Sequence, residues 1–203
     1  ISLCVRNKHP AGLSTFRPER TLLFVHGSTY PAATSFDLPL DGRSWMEEIA
    51  GQGYDVYLVD LRGYGRSTPP PEMAQPPEAN GPIVRTETAV KDVGSAVDAI
   101  LKRRGLARLD LMGWSWGTTI MASYTTQHPD KVSRLVLYAP QWLRTSQGPM
   151  TTGAGPLGAY RSVTRQMAHE RWLAGVPQDK VAGLIPAGWF EQWADATFAT
   201  DPV

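Results

Sequence analysis

Cysteine is almost absent from this chain: Cys4 is the one thiol in 203 residues. A single cysteine makes no internal disulfide and no multi-cysteine metal site, and near a terminus it reads as a small buried apolar residue. An excess of charge of either sign is missing too. The 20 Lys and Arg residues stand against 19 Asp and Glu, a formal net charge of +1, which gives no electrostatic reason to expect nucleic acid or an anionic membrane as partner. No stretch reaches the roughly 18 apolar residues that a membrane span needs. No basic segment followed by an apolar run marks a signal peptide. The first residue is Ile1 rather than Met, so no compartment is assigned. Histidine is scarce as well: His9, His26, His128 and His169 are all there are. No metal or cofactor is expected.

What is present is core-forming material in alternating blocks. Hydrophobic residues make up 42%, enough to bury a core, and the length suits one domain or one domain with a sizeable insertion. The segment 1 to 9 alternates as an edge strand does. "TLLFVHG", 21 to 27, is a short apolar run ended by glycine, and the following "STYPAATSFDLPLDGRS" reads as a long loop. Ser44 followed by Glu47 has the capping-box spacing and predicts a helix from 45 that Gly51 and Gly53 stop. "YDVYLVD", 54 to 60, is the next strand, and the Gly- and Pro-rich stretch after it excludes regular structure. From Thr86 apolar residues fall at helical spacing up to Leu101, with Lys102, Arg103 and Arg104 at the C-terminal end and Gly105 as stop. "ARLDLMGW" predicts a strand, "GTTIMASYTTQHP" a helix ended at Pro129, and residues 132 to 140 a further strand. Strand and helix thus alternate from 21 to 140, which implies an α/β fold: a mostly parallel sheet with helices on both faces. Ligands in such sheets bind beyond the carboxyl ends of the strands. After Pro140 the character changes to loop and short helices over "YRSVTRQMAHERWLAG", "PQDKVAGLI" and "AGWFEQWADATFA", with no strand pattern.

One such strand end carries Gly113-Trp114-Ser115-Trp116-Gly117, a G-x-S-x-G sequence between a strand and a helix. A sharp turn there lifts a serine hydroxyl to the top of the sheet, and glycines let strand and helix pack close. The N–H of Trp116 opens a helix whose N-terminus favours negative charge. Two more loops end at the same sheet edge. In His26-Gly27-Ser28-Thr29, a main-chain N–H after the His-Gly pair is the second candidate oxyanion donor, Ser28 in first place and Thr29 as alternative. His26 itself reads as a structural residue bonding loop backbone. In the loop from Asp60 to Ser67, Asp60 and Arg62 read as groups tying a tight glycine turn together.

The segments "LFVHGST", "VDLRGYGRS" and "LMGWSWGTTIMASYTTQHPDKVSRLVLYAP" stand in the order and at the intervals of the α/β-hydrolase superfamily, which residues 1 to 140 resemble. The likeness is to the esterase, lipase and C–C-hydrolase-like group with a helical lid after the sixth strand. The resemblance implies Ser115 as nucleophile and the amides of Trp116 and Ser28 as oxyanion hole. Residues 1 to 140 would be the N-terminal part of the core and 141 to 203 the start of the lid. Trp114 and Thr29 are candidate pocket residues.

The resemblance also puts the triad acid and histidine after later strands, and this chain has no pattern for those strands. None of the four histidines fits the base: His9 and His26 precede the serine, His128 ends the elbow helix, and His169 lies in the lid segment. The site after the sixth strand reads "YAPQWL", without a carboxylate. The expectation is therefore that these residues are the N-terminal portion of an enzyme whose C-terminal segment supplies the histidine and the acid. Residues 132 to 139 would then pair with strands that the sequence does not contain. The function expected is hydrolysis of a small-molecule carboxylic ester through an acyl-enzyme on Ser115. Amide, lactone or C–C bond hydrolysis and acyl transfer would use the same residues. Serine in place of aspartate argues against the epoxide-hydrolase chemistry of relatives. A non-catalytic binding module that kept the elbow as scaffold is the alternative from another class.

Overall fold

A computed structural model of the chain describes residues 1–141 and 156–200. Its described strands are β1 (Val5–Lys8), β2 (Thr21–Val25), β3 (Asp55–Val59), β4 (Leu109–Trp114) and β5 (Val132–Tyr138). They form one sheet in the order β1-β3-β2-β4-β5, parallel except for β1, which pairs antiparallel with β3 at one edge. The helices are α1 (Ala32–Phe36), α2 (Trp45–Gly51), α3 (Thr86–Arg104), α4 (Trp116–Gln127), α5 (Arg165–Trp172) and α6 (Trp189–Thr200).

The central strands are apolar on both faces because helices cover both. Successive residues of β2 alternate between two cores. Leu23 and Val25 join Val59, Leu109 and Leu111 under α3 and α4, which contribute Val93, Val97, Ile100, Ile120 and Met121. Leu22 and Phe24 join Val56, Leu58 and Met112 under α1 and α2, which contribute Phe36 and Met46. Each fully buried Val, Leu, Ile, Met or Phe side chain contributes about 1.5–3 kcal/mol through its apolar area. Such sums are what offset the chain entropy of ordering the sheet. The predicted caps are present. Ser44 Oγ accepts from the Glu47 N–H at 3.1 Å and Glu47 Oε2 accepts from the Ser44 N–H at 2.9 Å. Gly105 closes α3 in the left-handed region at φ +65°.

Three expectations change. The loop predicted over 28 to 44 contains α1, a five-residue helix too short to show a period. It is nucleated by tertiary contacts: the buried Asp60 carboxylate accepts the Ala32 N–H at 2.8 Å, and Pro31 sets the entry. The helix predicted over "PQDKVAGLI" reduces to a single 3-10 turn, Gln178–Lys180, with Gly183 beyond it at φ +78°. It buries nothing, and an unburied short helix lacks the packing that sustains one. The first strand is only four residues long.

A third, smaller core lies over the carboxyl ends of the strands. Ala168, Phe190, Trp193 and Ala194 pack together with Tyr30 and Leu38 of the loop after β2. Tyr30 meets the edge of Trp193 at 4.7 Å between ring centres. Chain before α5 is also held to the Pro-rich loop: the Ala159 N–H donates to Pro77 O at 2.7 Å, and Tyr160 Oη donates to Gln75 O at 3.0 Å. Among the described residues, no helix is long and apolar enough to cross a membrane.

Candidate active site

Ser115 occupies the junction of β4 and α4 with φ +55° and ψ −118°. That region is sparsely populated for a residue with a Cβ and costs on the order of 1–3 kcal/mol, sustained only where neighbours over-determine it. Here they do. The Ser115 N–H donates to Tyr138 O of β5 at 3.1 Å, and Ser115 O accepts the Thr118 N–H at 3.0 Å and the Thr118 hydroxyl at 2.6 Å. The two glycines of the motif are needed for different reasons. A Cβ on Gly113 would lie 2.2 Å from Gly117 O, so strand and helix could not cross so closely. A Cβ on Gly117 would lie 2.6 Å from Val25 O and 2.7 Å from His26 O, so α4 could not reach the end of β2. Ser115 itself is half-buried.

That close approach brings the loop after β2 against the serine. A Cβ on Gly27 would meet Ser115 Cβ at 3.1 Å and Ser115 Oγ at 3.6 Å. Trp116 is the first residue of α4, so its N–H has no carbonyl four residues back to bond. The motif's two tryptophans diverge. Trp116 packs partly buried toward the α3 side, and its Nε1–H donates to Thr86 Oγ1 at 3.1 Å. Trp114 packs on the opposite face, edge-on to Phe36 at 6.3 Å.

His26 is fully buried beneath the loop. Its Nδ1 lies 2.7 Å from Gly27 O, and its Nε2 accepts the Leu61 N–H at 3.1 Å. That pair of contacts assigns the neutral tautomer with the proton on Nδ1. Burial lowers its pKa, against the pull of Asp60 and of the Gly27 carbonyl. Both ring nitrogens are thus occupied in holding two loops together, the structural role read from the sequence. Asp60 has a similar office: Oδ1 accepts from Ala32 N–H and Oδ2 from Arg66 N–H at 3.2 Å. A Cβ on Gly65 would lie 2.4 Å from Asp60 Oδ2. Arg62 turns out to bind beyond its own loop, with a two-pronged ion pair to the buried Asp92 of α3 (Nη2 to Oδ1 2.6 Å, Nε to Oδ2 3.0 Å).

The other histidines are engaged elsewhere. His9 Nδ1 lies 2.9 Å from Pro10 O, the His128 ring lies tilted against Tyr124 at 4.8 Å, and His169 meets Phe190 edge-on at 4.6 Å. Gln141 follows β5, and its N–H lies 3.4 Å from Thr118 Oγ1. Trp142 and the residues up to 155 lie outside the described residues, as do Asp201 and the two after it.

A cavity of about 400 Å³ opens beside the elbow, with Ser28, Tyr64, Arg85, Thr86, Trp116 and Gln141 on its walls. Ser28 and Trp116 are there as the sequence singled them out; Trp114 and Thr29 are not on these walls. The Thr29 hydroxyl instead accepts from Arg161 Nη2 at 3.0 Å and from Arg171 Nη1 at 3.4 Å. Tyr64 and Thr86 were not legible as site residues. Tyr64 Oη donates to Ser28 O at 3.0 Å and its ring lies 4.5 Å from that of His26. The one sequence signal was its place between two glycines of the loop after β3.

The family model for the alpha/beta hydrolase fold matches residues 20–164. A probable proline iminopeptidase of Streptomyces coelicolor is 29% identical over 137 residues, 67% of this chain and 38% of the relative. A bifunctional epoxide hydrolase 2 of Rattus norvegicus is 24% identical over 164 residues, 79% of this chain and 26% of the relative. The thioesterase domain from the curacin biosynthetic pathway superposes with a TM-score of 0.50 at 19% identity, covering 71% of this chain and 44% of that one, a likeness of fold. The chain thus spans well under two thirds of the length of the proteins it matches. With that family match over most of its length, on a sheet, elbow and loop arrangement of this kind, the chain belongs to the alpha/beta hydrolase fold family.

Proposed function

We propose that the protein is a serine hydrolase that cleaves a carboxylic ester of a small molecule through an acyl-enzyme on Ser115. The observation that carries this reading is the backbone of Ser115, held at φ +55° on the crest between β4 and α4 with the Gly27 loop against its side chain. Strain at such a point lifts the hydroxyl clear of the helix it precedes. In the proposed reaction Ser115 Oγ bonds to the carbonyl carbon and loses its proton to a base. The oxygen that gathers charge accepts from the Trp116 and Ser28 amides, the alcohol leaves, and water releases the acyl group by the same route. Residues 141 to 203 act as a lid over this site. Support for that comes from the third core, which joins α5 and α6 to Tyr30 and Leu38 above the strand ends.

The base and its carboxylate come, in this proposal, from a further segment of the same protein. Two observations support it. Each of the four histidines has described contacts with groups other than Ser115. Strand β5 pairs with β4 alone among the described strands, and Val136, Leu137 and Tyr138 are 46%, 43% and 50% exposed. An apolar sheet edge of that kind asks for further cover.

A second reading, amide hydrolysis by the same serine, draws on the iminopeptidase relatives. Labelling of the full-length protein with a fluorophosphonate tests the shared chemistry. Ser115 is expected to be modified, and Ser115→Ala to abolish labelling; a well-folded protein that does not label defeats both readings. Matched ester and anilide substrates of one acyl group then separate them: turnover of the ester with none of the anilide is expected, and turnover of the anilide favours the amide reading.

A further inference from the structure

The cavity beside the elbow is tied to Ser115 by three of its wall residues. Trp116 follows the serine directly. Ser28 follows Gly27, whose Cβ position lies 3.6 Å from Ser115 Oγ. The Gln141 N–H lies 3.4 Å from Thr118 Oγ1, and that hydroxyl donates to Ser115 O. Neighbouring α-carbons are only about 3.8 Å apart. One substituent of a carbonyl held at Ser115 therefore enters this space of about 400 Å³.

The opposite wall comes from the start of α3, where Arg85, Thr86 and Glu87 all border the cavity. Thr86 is half-buried, and Arg85 and Glu87 are exposed at the rim. Thr86 Oγ1 accepts from the Trp116 Nε1–H at 3.1 Å. That bond holds the indole as a wall and leaves the Thr86 O–H as a donor for another group. Among the described residues, neither the Arg85 guanidinium nor the Glu87 carboxylate has a hydrogen-bond or ion-pair partner. The two carry opposite charges, so a full charge on the substrate is drawn by one and repelled by the other. A neutral hydroxyl suits both, because it accepts from the guanidinium and donates to the carboxylate. An alkyl group in its place displaces water from these groups and returns no hydrogen bond.

We infer that this cavity takes a neutral, hydroxylated substituent of the ester, and that Arg85, Thr86 and Glu87 select it over an alkyl group of the same size. This rests on the ester-hydrolase reading of Ser115 and adds the substrate class to it. A site that hydrogen-bonds a substrate hydroxyl discriminates against the analogue lacking it, because its own polar groups are then left unpaired.

The test uses the full-length protein and two pairs of esters in which methyl groups stand in for hydroxyls. One pair is para-nitrophenyl 3-hydroxybutanoate against para-nitrophenyl 3-methylbutanoate, with the hydroxyl on the acyl side. The other is glyceryl 1-butyrate against 2-methylbutyl butyrate, with the hydroxyls on the alcohol side. Each rate is divided by that of alkaline hydrolysis, which removes differences in intrinsic reactivity. In one pair kcat/KM is expected to favour the hydroxylated ester by at least about tenfold, the effect of one hydrogen bond to a charged group. Arg85→Leu combined with Glu87→Leu is expected to erase that preference by raising KM for the hydroxylated ester, with urea midpoints reporting that the fold is kept. Thr86→Val is expected to lose part of the preference and Thr86→Ser to restore it. No preference in either pair, with Ser115 labelled by fluorophosphonate, overturns the pocket assignment and leaves the ester reading standing. A preference that survives in the folded double variant overturns it too. Absence of labelling and of turnover defeats the ester reading, and calorimetric titration with the intact esters of both pairs then decides the pocket alone. Binding of a hydroxylated ester at least about tenfold tighter than its partner, with the difference lost in the double variant, supports the assignment; equal binding within both pairs, or a difference that the variant keeps, overturns it.

Discussion

Gly117→Ala sets two physical effects against each other. In an exposed helix, replacing Gly by Ala adds about 1 kcal/mol of stability through backbone entropy. At position 117 the added methyl would stand 2.6 Å from Val25 O and 2.7 Å from His26 O. Ordinary C–H···O approaches are about 3.3 Å or more, so the methyl is short of room by roughly 0.7 Å on two sides at once. Both obstacles are main-chain atoms at the end of a fully buried strand, so neither yields by a rotamer change. Overpacking of that kind costs typically 1–3 kcal/mol, and more against backbone. The overlap is expected to win, leaving the variant about 1–2 kcal/mol less stable. Activity suffers more than stability, since the relief pushes the His26-Gly27-Ser28 loop away from Ser115. A displacement near 1 Å at a reacting centre costs on the order of a hundredfold in rate. Urea unfolding gives the first quantity, read from the midpoint at unchanged slope. The rate of fluorophosphonate labelling at Ser115 gives the second. A variant as stable as the parent, labelling at the parent's rate, would refute the close contact between α4 and β2 and with it the account of how the serine is presented.

Two stability predictions rest on other parts of the fold. Ser44→Ala removes the capping box of α2 and also the hydroxyl that donates to Asp37 Oδ1 at 2.7 Å; because the site is buried, the loss is expected near the upper end of the usual range for a lost cap, about 2 kcal/mol in urea unfolding. Tyr124 has its Oη buried with no hydrogen-bond partner among the described residues, and burial, helped by Asp98 and Asp130, pushes its pKa from 10.0 to about 12. The folded state then holds its proton above the pH at which the unfolded chain releases it, so stability is full below pH 10 and falls as pH rises toward 12. Tyr124→Phe is expected to hold stability at neutral pH, or raise it by up to about 1 kcal/mol, and to flatten that alkaline decline; urea midpoints measured from pH 8 to 12 check both, and an unchanged alkaline slope in the variant would count against the burial argument.

Local chemistry made much of this legible before any coordinates. The alternation of apolar runs with helical spacing determined strand and helix from Thr21 to Tyr138, because a strand covered on both faces must be apolar throughout and an amphipathic helix must repeat every three to four residues. Ser44 with Glu47 and the arginines ahead of Gly105 marked helix ends through orphan amides and dipoles, which neighbours in sequence satisfy. Gly113, Ser115 and Gly117 marked the turn because only that spacing lets a strand and helix cross so closely. Tertiary structure alone decided the rest. Helix α1 exists because Asp60, 28 residues along the chain, accepts its first N–H. Trp114 and Trp116 part to opposite faces because a kinked backbone separates them, whereas their shared motif had left Trp114 as a candidate pocket residue and Trp116 as an amide donor. Tyr64 and Thr86 meet Ser28 and Trp116 across separations of 36 and 30 residues. No local pattern encodes such meetings, since they depend on where the sheet delivers each loop.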